Sequence, residues 1–335
     1  MKIKWYLFLL TILTISIVTY PLISNKDEKP LKIGIIMIGD SRYEKLIGLK
    51  KGMQELGYDD RSTEYAVKSG KDQEAILASH IEDLLNEKPT LIVALGGIET
   101  LRLKEIMEKK EIKIPVVFAG VAAPKEIGLI KDYRSPGGLF TGINNYHTSL
   151  SGKRLEIFRD LVPSISRFHI LYDEDIEVSK LSLGNVMAAA ERLSLEIIPW
   201  NVSDTKNFLS EMKHEVHVND AILVMPGFKM ESLSKEIAQF SKENHIPAMG
   251  LYENETEDGI LASYGTSYFD QGYQSARFVS SIIQGNSPAD IPVEMPDNIR
   301  FIINQKVKSE LGIQLNKDII HLAQFINPNG EEGSQ

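Results

Sequence analysis

The chain has 335 residues, 43% hydrophobic and 25% charged, the composition of a globular protein with enough apolar material for two cores. Its formal net charge is −9, and no run of lysine and arginine is present to neutralise a phosphate backbone, which disfavours nucleic-acid binding. There are no cysteines, so disulfides, thiolate catalysis, cysteine-based zinc sites and a lipid-modified cysteine are excluded.

The first thirty residues read MKIKWYLFLLTILTISIVTYPLISNKDEKP. Lys2 and Lys4 precede an uncharged apolar run from Trp5 to Ile23. Such a segment is either a cleaved secretory signal or a membrane-anchoring hydrophobic helix. The run has an anchor's length, and Ser24 is the only small residue a cleavage site would find in PLISN. Either way the lysines stay cytoplasmic, and everything after Asn25 is expected outside.

From Leu31 onward, short apolar runs alternate with amphipathic segments. KIGIIMIG (Lys32–Gly39) reads as a buried strand, and Leu46, Leu49, Met53 and Leu56 follow at helical spacing until Gly57. Asp72 is placed to cap the next helix, whose buried face is Ile76, Leu77, Ile81, Leu84 and Leu85. TLIVALGG is a second strand; a charged helix with Leu101, Ile106 and Met107 leads to a third, IPVVFAG. After SPGG (Ser135–Gly138) and GGLFTGINN the rhythm restarts. Helix Leu150–Leu161, strand FHILYD, helix Leu183–Leu193 and strand LEIIPW follow, then a helix capped by Asp204. Strand AILVMP, helix Glu231–Asn244 and strand IPAMG come next, then a strand over Gly259–Tyr264 and a helix over Gln271–Ile283. The residues from Tyr264 to Gln271 are expected as a loop unusually rich in aromatic and hydroxyl groups.

Strands separated by helices of this length imply βαβ units and parallel sheets covered on both faces. Two such runs predict an α/β protein of two doubly wound parallel-sheet lobes. Parallel sheets bind ligands beyond the carboxyl ends of their strands. That rule selects Gly39 to Arg42, Gly96 to Ile98, Ala119 to Val121, Tyr172 and Asp173, Trp200 and Asn201, Pro226 to Phe228, and Tyr252 and Glu253, together with the aromatic loop that holds Tyr264 and Tyr268.

Gly96-Gly97, between a strand and a helix, reads either as an anion-binding helix start or as a tight turn. No Walker sequence and no G-x-G-x-x-G is present, so no nucleotide or dinucleotide cofactor is indicated. His214 and His217, three apart, imply no third ligand and read as a solvated face rather than a metal site. No G-x-S-x-G occurs, and nothing assembles an acid, a base and an oxyanion site, so catalysis is not expected.

Several stretches closely resemble the solute-binding proteins of ABC importers. They are GLKKGMQELGY, LIVALGG, IPVVFAGVAAPKEIGLI, PGGLFTGINN, KRLEIFRDLVPSISRFHILYD and, above all, GILASYGTSYFDQGYQSARFVSSIIQGNSPADIPVEMPDNIRFIINQKVKSELGI. The similarity runs from Lys32 to about Ile313. More narrowly, the chain resembles the type I periplasmic binding proteins whose best-known members bind tryptophan, tyrosine and related aromatic amino acids.

The resemblance implies two lobes joined by a three-strand hinge, crossed near Gly142, Ala262 and Ile291. Residues 31–142 and 262–290 would form one lobe and residues 143–261 and 291–326 the other, while the polar, glycine-containing composition of 327–335 itself predicts a disordered tail. It also implies a small-molecule ligand, an ABC permease as partner, and a wall of Asp40, Ser41, Gly96, Gly97, Ala119, Asn144, Tyr172, Pro226, Tyr252, Tyr264 and Tyr268. The sequence departs from the family pattern at the short GDSRYEKL loop, at Ala122-Ala123, at Gly227-Phe228-Lys229 and at Ser267. Those departures leave Asp40, Asp173, Glu253 and Asp270 as partners for a ligand ammonium. A membrane-tethered sensor that signals to a kinase or cyclase is the alternative the N-terminal segment leaves open.

Overall fold

The longest apolar runs become the central strands of two separate sheets, and amphipathic helices cover both faces of each. The computed structural model describes residues 30–59, 61–203 and 207–327. In the first sheet, β1 (Leu31–Met37), β2 (Thr63–Ser69), β3 (Leu91–Ala94), β4 (Val116–Val121) and β5 (Phe140–Asn144) are all parallel, in the order β2-β1-β3-β4-β5. Alternation of side chains sends Ile33 and Ile35 to one face, with Leu49, Met53 and Phe278, and Ile36 to the other, with Leu77, Ile81 and Leu103. Strand β2 has no counterpart in the sequence reading. Its TEYAVKS is an edge strand with mostly half-exposed residues, so it lacks the continuous apolar run by which its neighbours are recognised.

The second sheet holds β6 (Arg167–Tyr172), β7 (Glu196–Asn201), β8 (Asp220–Val224), β9 (Ala248–Gly250), β10 (Ala262–Gly265), β11 (Arg300–Asn304) and β12 (Gln324–Ile326). Their order is β12-β11-β10-β9-β8-β6-β7. It is not purely parallel: β10 and β11 run antiparallel, because a helix leaves for the first lobe between them and returns. Leu155, Phe158, Phe168 and Ile170 fill one face and Ile222, Val224, Ile237 and Phe240 the other.

In the first lobe, α1 (Tyr43–Glu55), α2 (Glu74–Asn86) and α3 (Gly97–Lys109) cover the sheet. The second carries α4 (His147–Leu161), α5 (Glu177–Leu193), α6 (Phe208–Met212), α7 (Phe228–Ser232), α8 (Ser234–Asn244) and α9 (Glu253–Asp258). Helix α10 (Tyr268–Ile283) packs back on α1 in the first lobe, and glycine permits the approach. A Cβ on Gly272 would lie 1.8 Å from the Lys45 carbonyl oxygen, and one on Gly48 would lie 2.1 Å from that of Phe269. This seam fixes the positions of Lys45 and Tyr268 relative to one another.

Several local expectations are corrected. Ala262 and Ser263 pair with β9 as well as β11, so the chain passes to the first lobe after Gly265 rather than at Ala262. Segment 291–295 still lies beside β5, through Asn144 N–H to Glu294 O and Glu294 N–H to Gly142 O, so the return comes after Glu294. Tyr268 to Gln271 form the first turn of α10, capped by the Ser267 hydroxyl, which accepts from Asp270 N–H at 3.0 Å. Asp72 does not cap α2; Gln73 precedes that helix and Asp72 takes a left-handed turn. Leu233 splits the expected helix 231–244 in two. The hydrophobic run 5–23, Asp204 and residues 328–335 lie outside the described residues. Among the described residues, no helix is long and apolar enough to cross a membrane.

Candidate functional site

The carboxyl ends of strands from both sheets converge on one cavity of about 300 Å³. From the first lobe come Arg42 and Lys45 after β1, Gly96 and Gly97 after β3, Gly120 and Val121 at the end of β4, and Asn145 after β5. The second lobe supplies Ile176 and Val178 after β6, Pro226 to Phe228 and Glu231 after β8, and Tyr252 after β9. Ile98, Leu101, Ala122 and Ile127 extend the apolar side, while Glu74, Arg102 and Glu105 complete the lining.

Buried charge is concentrated at this cavity. Arg42, 4% exposed, reaches across to the second lobe: its Nη1 donates to Glu231 Oε2 at 2.5 Å and to the Tyr268 hydroxyl at 2.8 Å. The Tyr268 hydroxyl in turn donates to Glu231 at 2.9 Å. Glu99 is fully buried at the start of α3, accepts the Ile38 N–H at 2.9 Å and stands 3.5 Å from Arg42 Nε. Burial alone would lower the Arg42 pKa, but Glu231, Tyr268 and Glu99 outweigh it and hold the guanidinium charged.

Lys45, 1% exposed, donates to the Ala119 carbonyl at 2.8 Å, and its ammonium stands 5.1 Å from the centre of the Tyr268 ring. Burial, then the neighbouring Arg42, push its pKa down to about 7, against the opposite pull of Glu99 and Glu231. His147 packs edge-on against Tyr252 with ring centres 4.6 Å apart, and its Nδ1 lies 2.8 Å from Arg154 Nη2. Burial and the charges of Arg154 and Lys45 keep it neutral, so Nδ1 accepts and Nε2 carries the proton.

Among the described residues, several buried polar atoms around this network have no hydrogen-bond partner, Arg42 Nε, Glu99 Oε2, Gln271 Oε1 and His147 Nε2 among them. Buried polar groups are ordinarily satisfied, so a concentration of them marks a place built to meet something else. Gly120 is what leaves the room. Its φ is +92°, and a Cβ there would lie 1.8 Å from Gln271 Oε1 and 3.1 Å from Lys45 Nζ.

Of the residues expected on the wall, Gly96, Gly97, Pro226 and Tyr252 line the cavity. Ala119 and Asn144 sit one residue behind it: the Ala119 carbonyl holds Lys45, and Asn144 Oδ1 accepts the Tyr146 N–H at 3.0 Å. Asp40 and Ser41 are exposed, and it is Arg42 that turns inward. Tyr172 packs on the core of the second lobe, and Tyr264 meets Phe301 edge-on at 6.2 Å. Tyr268 lies behind the wall, bound to Arg42 and Glu231. Trp200 faces inward too, donating its indole N–H to His169 Nδ1 at 2.8 Å.

None of the acids expected to meet an ammonium lines the cavity. Asp173 lies 3.2 Å from Lys229 Nζ, Glu253 and Asp270 share Arg300 at 3.2 and 2.8 Å, and Asp40 is exposed. His214 and His217 are exposed and lie beyond the end of α6, and no metal-binding group of His, Asp and Glu occurs among the described residues. Arg42 lies in a stretch the strand-end rule selects but was left off the expected wall, and Lys45, Glu99, Glu231 and His147 were not expected there. One signal was available: Lys45 stands four residues before Leu49, and Glu99 four before Leu103, each on the buried face of its helix.

The family model for "ABC transporter substrate binding protein" matches residues 31–326. A "Tyrosine-binding protein" from Clostridioides difficile is 23% identical over 291 residues, covering 87% of this chain and 83% of the relative. A Streptococcus pneumoniae ABC domain in complex with L-Trp superposes with a TM-score of 0.80 at 22% identity, covering 89% of this chain and 99% of that one. A conserved domain protein from Vibrio cholerae gives 0.79 at 20% identity, again covering 89% and 99%. With the family match spanning both sheets and every residue of the cavity wall, this chain belongs to the ABC transporter substrate binding protein family.

Proposed function

We infer that the protein is an extracytoplasmic receptor that closes on a small amino acid of aromatic character and presents it to an ABC importer. Proteins of this family work outside the cytoplasm and bind solutes rather than transform them. The observation that carries the reading is the cavity itself, walled by strand ends of both lobes, apolar along its sides and lined with buried charge where the lobes meet. About 300 Å³ lies at the small end of small-molecule sites and suits a ligand of amino-acid size. Relatives that bind tyrosine and L-Trp point to an aromatic side chain, which Ile98, Val121, Ile176 and Phe228 are suited to enclose.

Closure follows from where the contacts lie. A ligand touching both lobes gains affinity only in the closed form, and such differential affinity is what shifts the equilibrium. The permease would then meet the closed form, with the apolar run 5–23 holding the receptor at the membrane. Thermal unfolding with a panel of amino acids tests the ligand class. Tyrosine or tryptophan at 100 times its dissociation constant should stabilise the protein by about 2.7 kcal/mol. A panel in which every aromatic amino acid leaves the midpoint unmoved defeats the assignment.

A further inference from the structure

The ligand-binding role proposed for the cavity leaves open which group orients the ligand. Among the charged residues on its wall, Arg42 is already committed, to Glu231, to Tyr268 and, at 3.5 Å, to Glu99. Arg102 donates to Glu105, three residues along the same helix. Lys45 differs. Its ammonium has three N–H groups, and Ala119 O is its one hydrogen-bond acceptor among the described residues; no carboxylate there pairs with it. It is nevertheless buried and lines the cavity beside Gly120, where a side chain is excluded. A buried cation with donors to spare, in space kept open by glycine, is the fitting counterpart of an anion.

We propose that Lys45 receives the carboxylate of the ligand, so that the site selects carboxylates over the corresponding amines. Of the acids on the cavity wall, Glu231 is bound to Arg42 and Glu105 to Arg102, and Glu74 is exposed, so no buried, unpaired carboxylate is offered to an ammonium there. The groups facing Lys45 are Arg42 from the turn after β1, Glu99 from α3, Glu231 from α7, Tyr268 and Gln271 from α10, and His147 from α4. Glu99 and Glu231 offset Arg42, which leaves Lys45 the charge without a carboxylate of its own. Because burial lowers the Lys45 pKa to about 7, an incoming carboxylate favours its charged form and draws part of a proton onto it near neutral pH.

Isothermal titration of L-tyrosine, L-tryptophan, 4-hydroxyphenylacetate and tyramine into the full chain tests this, with Lys45→Met alongside. The carboxylates should bind wild type at least tenfold more tightly than tyramine, and Lys45→Met should erase that preference. With 4-hydroxyphenylacetate, which carries no amine to titrate, wild-type affinity should fall severalfold or more between pH 7 and 8.5 as the competent protonated fraction shrinks. Proton uptake should accompany binding, and Lys45→Met should remove both effects. If Lys45→Met fails to fold, the carboxylate preference and proton uptake of wild type decide the matter alone. Tyramine binding wild type as tightly as tyrosine, without proton uptake, overturns the role of Lys45 while leaving an aromatic ligand intact. Lys45-dependent binding of 4-hydroxyphenylacetate with neither amino acid bound supports Lys45 and overturns the amino-acid assignment. No carboxylate binding at all overturns both.

Discussion

Two clusters of buried polar and charged side chains among the described residues are built differently. At the amino-terminal ends of the strands in the second sheet, Asp220 accepts from Arg167 Nε at 3.0 Å, Arg167 Nη2 at 2.6 Å, His169 Nε2 at 2.9 Å and the His217 N–H at 2.7 Å. Trp200 satisfies the other nitrogen of His169, and the Glu215 carbonyl takes Arg167 Nη2 at 2.7 Å. These hydrogen bonds all close within one lobe. The cleft cluster instead joins two lobes through Arg42 and Glu231 and leaves polar atoms without partners among the described residues. A buried network that closes on itself specifies a core, and one left incomplete at a cavity is prepared for a ligand.

The largest effect should come from breaking the complete cluster. Asp220→Ala leaves Arg167 charged and His169 without its acceptor, and losing one partner of a buried pair costs about 3–5 kcal/mol. Urea denaturation should record that loss while ligand affinity stays at the wild-type value. A simultaneous collapse of affinity in the folded variant would mean that the two clusters are coupled.

Acid and base separate them next. Burial raises Glu255, beside the cleft, to about 7 despite the backbone N–H groups of Tyr252 and Leu251, and it lowers Lys45 to about 7. From about 4.5 to 7 the folded protein therefore holds a proton on Glu255 that the unfolded chain releases, so stability falls as pH rises through that window. From about 7 to 10.5 the unfolded chain holds a proton on Lys45 that the folded protein releases, so stability of the ligand-free protein rises again. Each limb is at most about 1.4 kcal/mol per pH unit. Glu255→Gln should flatten the lower limb and Lys45→Met the upper, both read from urea midpoints at pH 5, 7 and 9. Asp220 runs the other way: burial would raise its pKa, but Arg167, His169 and the His217 N–H together lower it. Its contribution is lost only as pH falls below the ordinary aspartate value of 3.8.

Smaller still is Glu231→Gln, which keeps the shape of the interlobe contact and removes its charge. A hydrogen bond to a charged group is worth about 1.5–3 kcal/mol, so tyrosine affinity should drop by roughly tenfold to a hundredfold. Stability of the separate lobes should hardly move, the reverse of the Asp220 result. Small-angle scattering should show a larger radius of gyration for the ligand-free variant. An unchanged radius together with unchanged affinity would remove the Arg42–Glu231 pair from any role in closure.

The strands that are buried on both faces were legible because parallel sheets demand continuous apolar runs, as in KIGIIMIG and AILVMP. Edge strand β2 was not, since its exposed side carries Glu64 and its neighbours are only half buried. At the site the strand-end rule found the right loops, Arg42 and Gly120 among them, but the narrower wall missed the inward residue by one or two: Arg42 instead of Asp40 and Ser41, Gly120 instead of Ala119, Asn145 instead of Asn144. An irregularity in the register of β4 between Ala119 and Val121 shows why, because one shifted residue changes the face a side chain takes. The partner of Arg42 was beyond local reading altogether, as Glu231 lies 189 residues away.

Tyr264 gives the smallest and most discriminating expectation. Its place after a strand and inside an aromatic-rich stretch made it a candidate for the cavity wall, yet its ring turns to Phe301 and the core of the second lobe. Its backbone carbonyl, not its hydroxyl, does the positioning, by accepting from Arg154 Nε at 2.7 Å. Tyr264→Phe keeps that carbonyl and the ring contact, so tyrosine affinity should change by less than twofold and stability by under about 0.5 kcal/mol. Tyr268→Phe, by contrast, deletes the hydroxyl that both Arg42 and Glu231 use, and should weaken binding severalfold. Two tyrosines four residues apart would then differ because only one belongs to the unfinished network at the cleft, and equal losses from both would show that the aromatic stretch acts as a single wall.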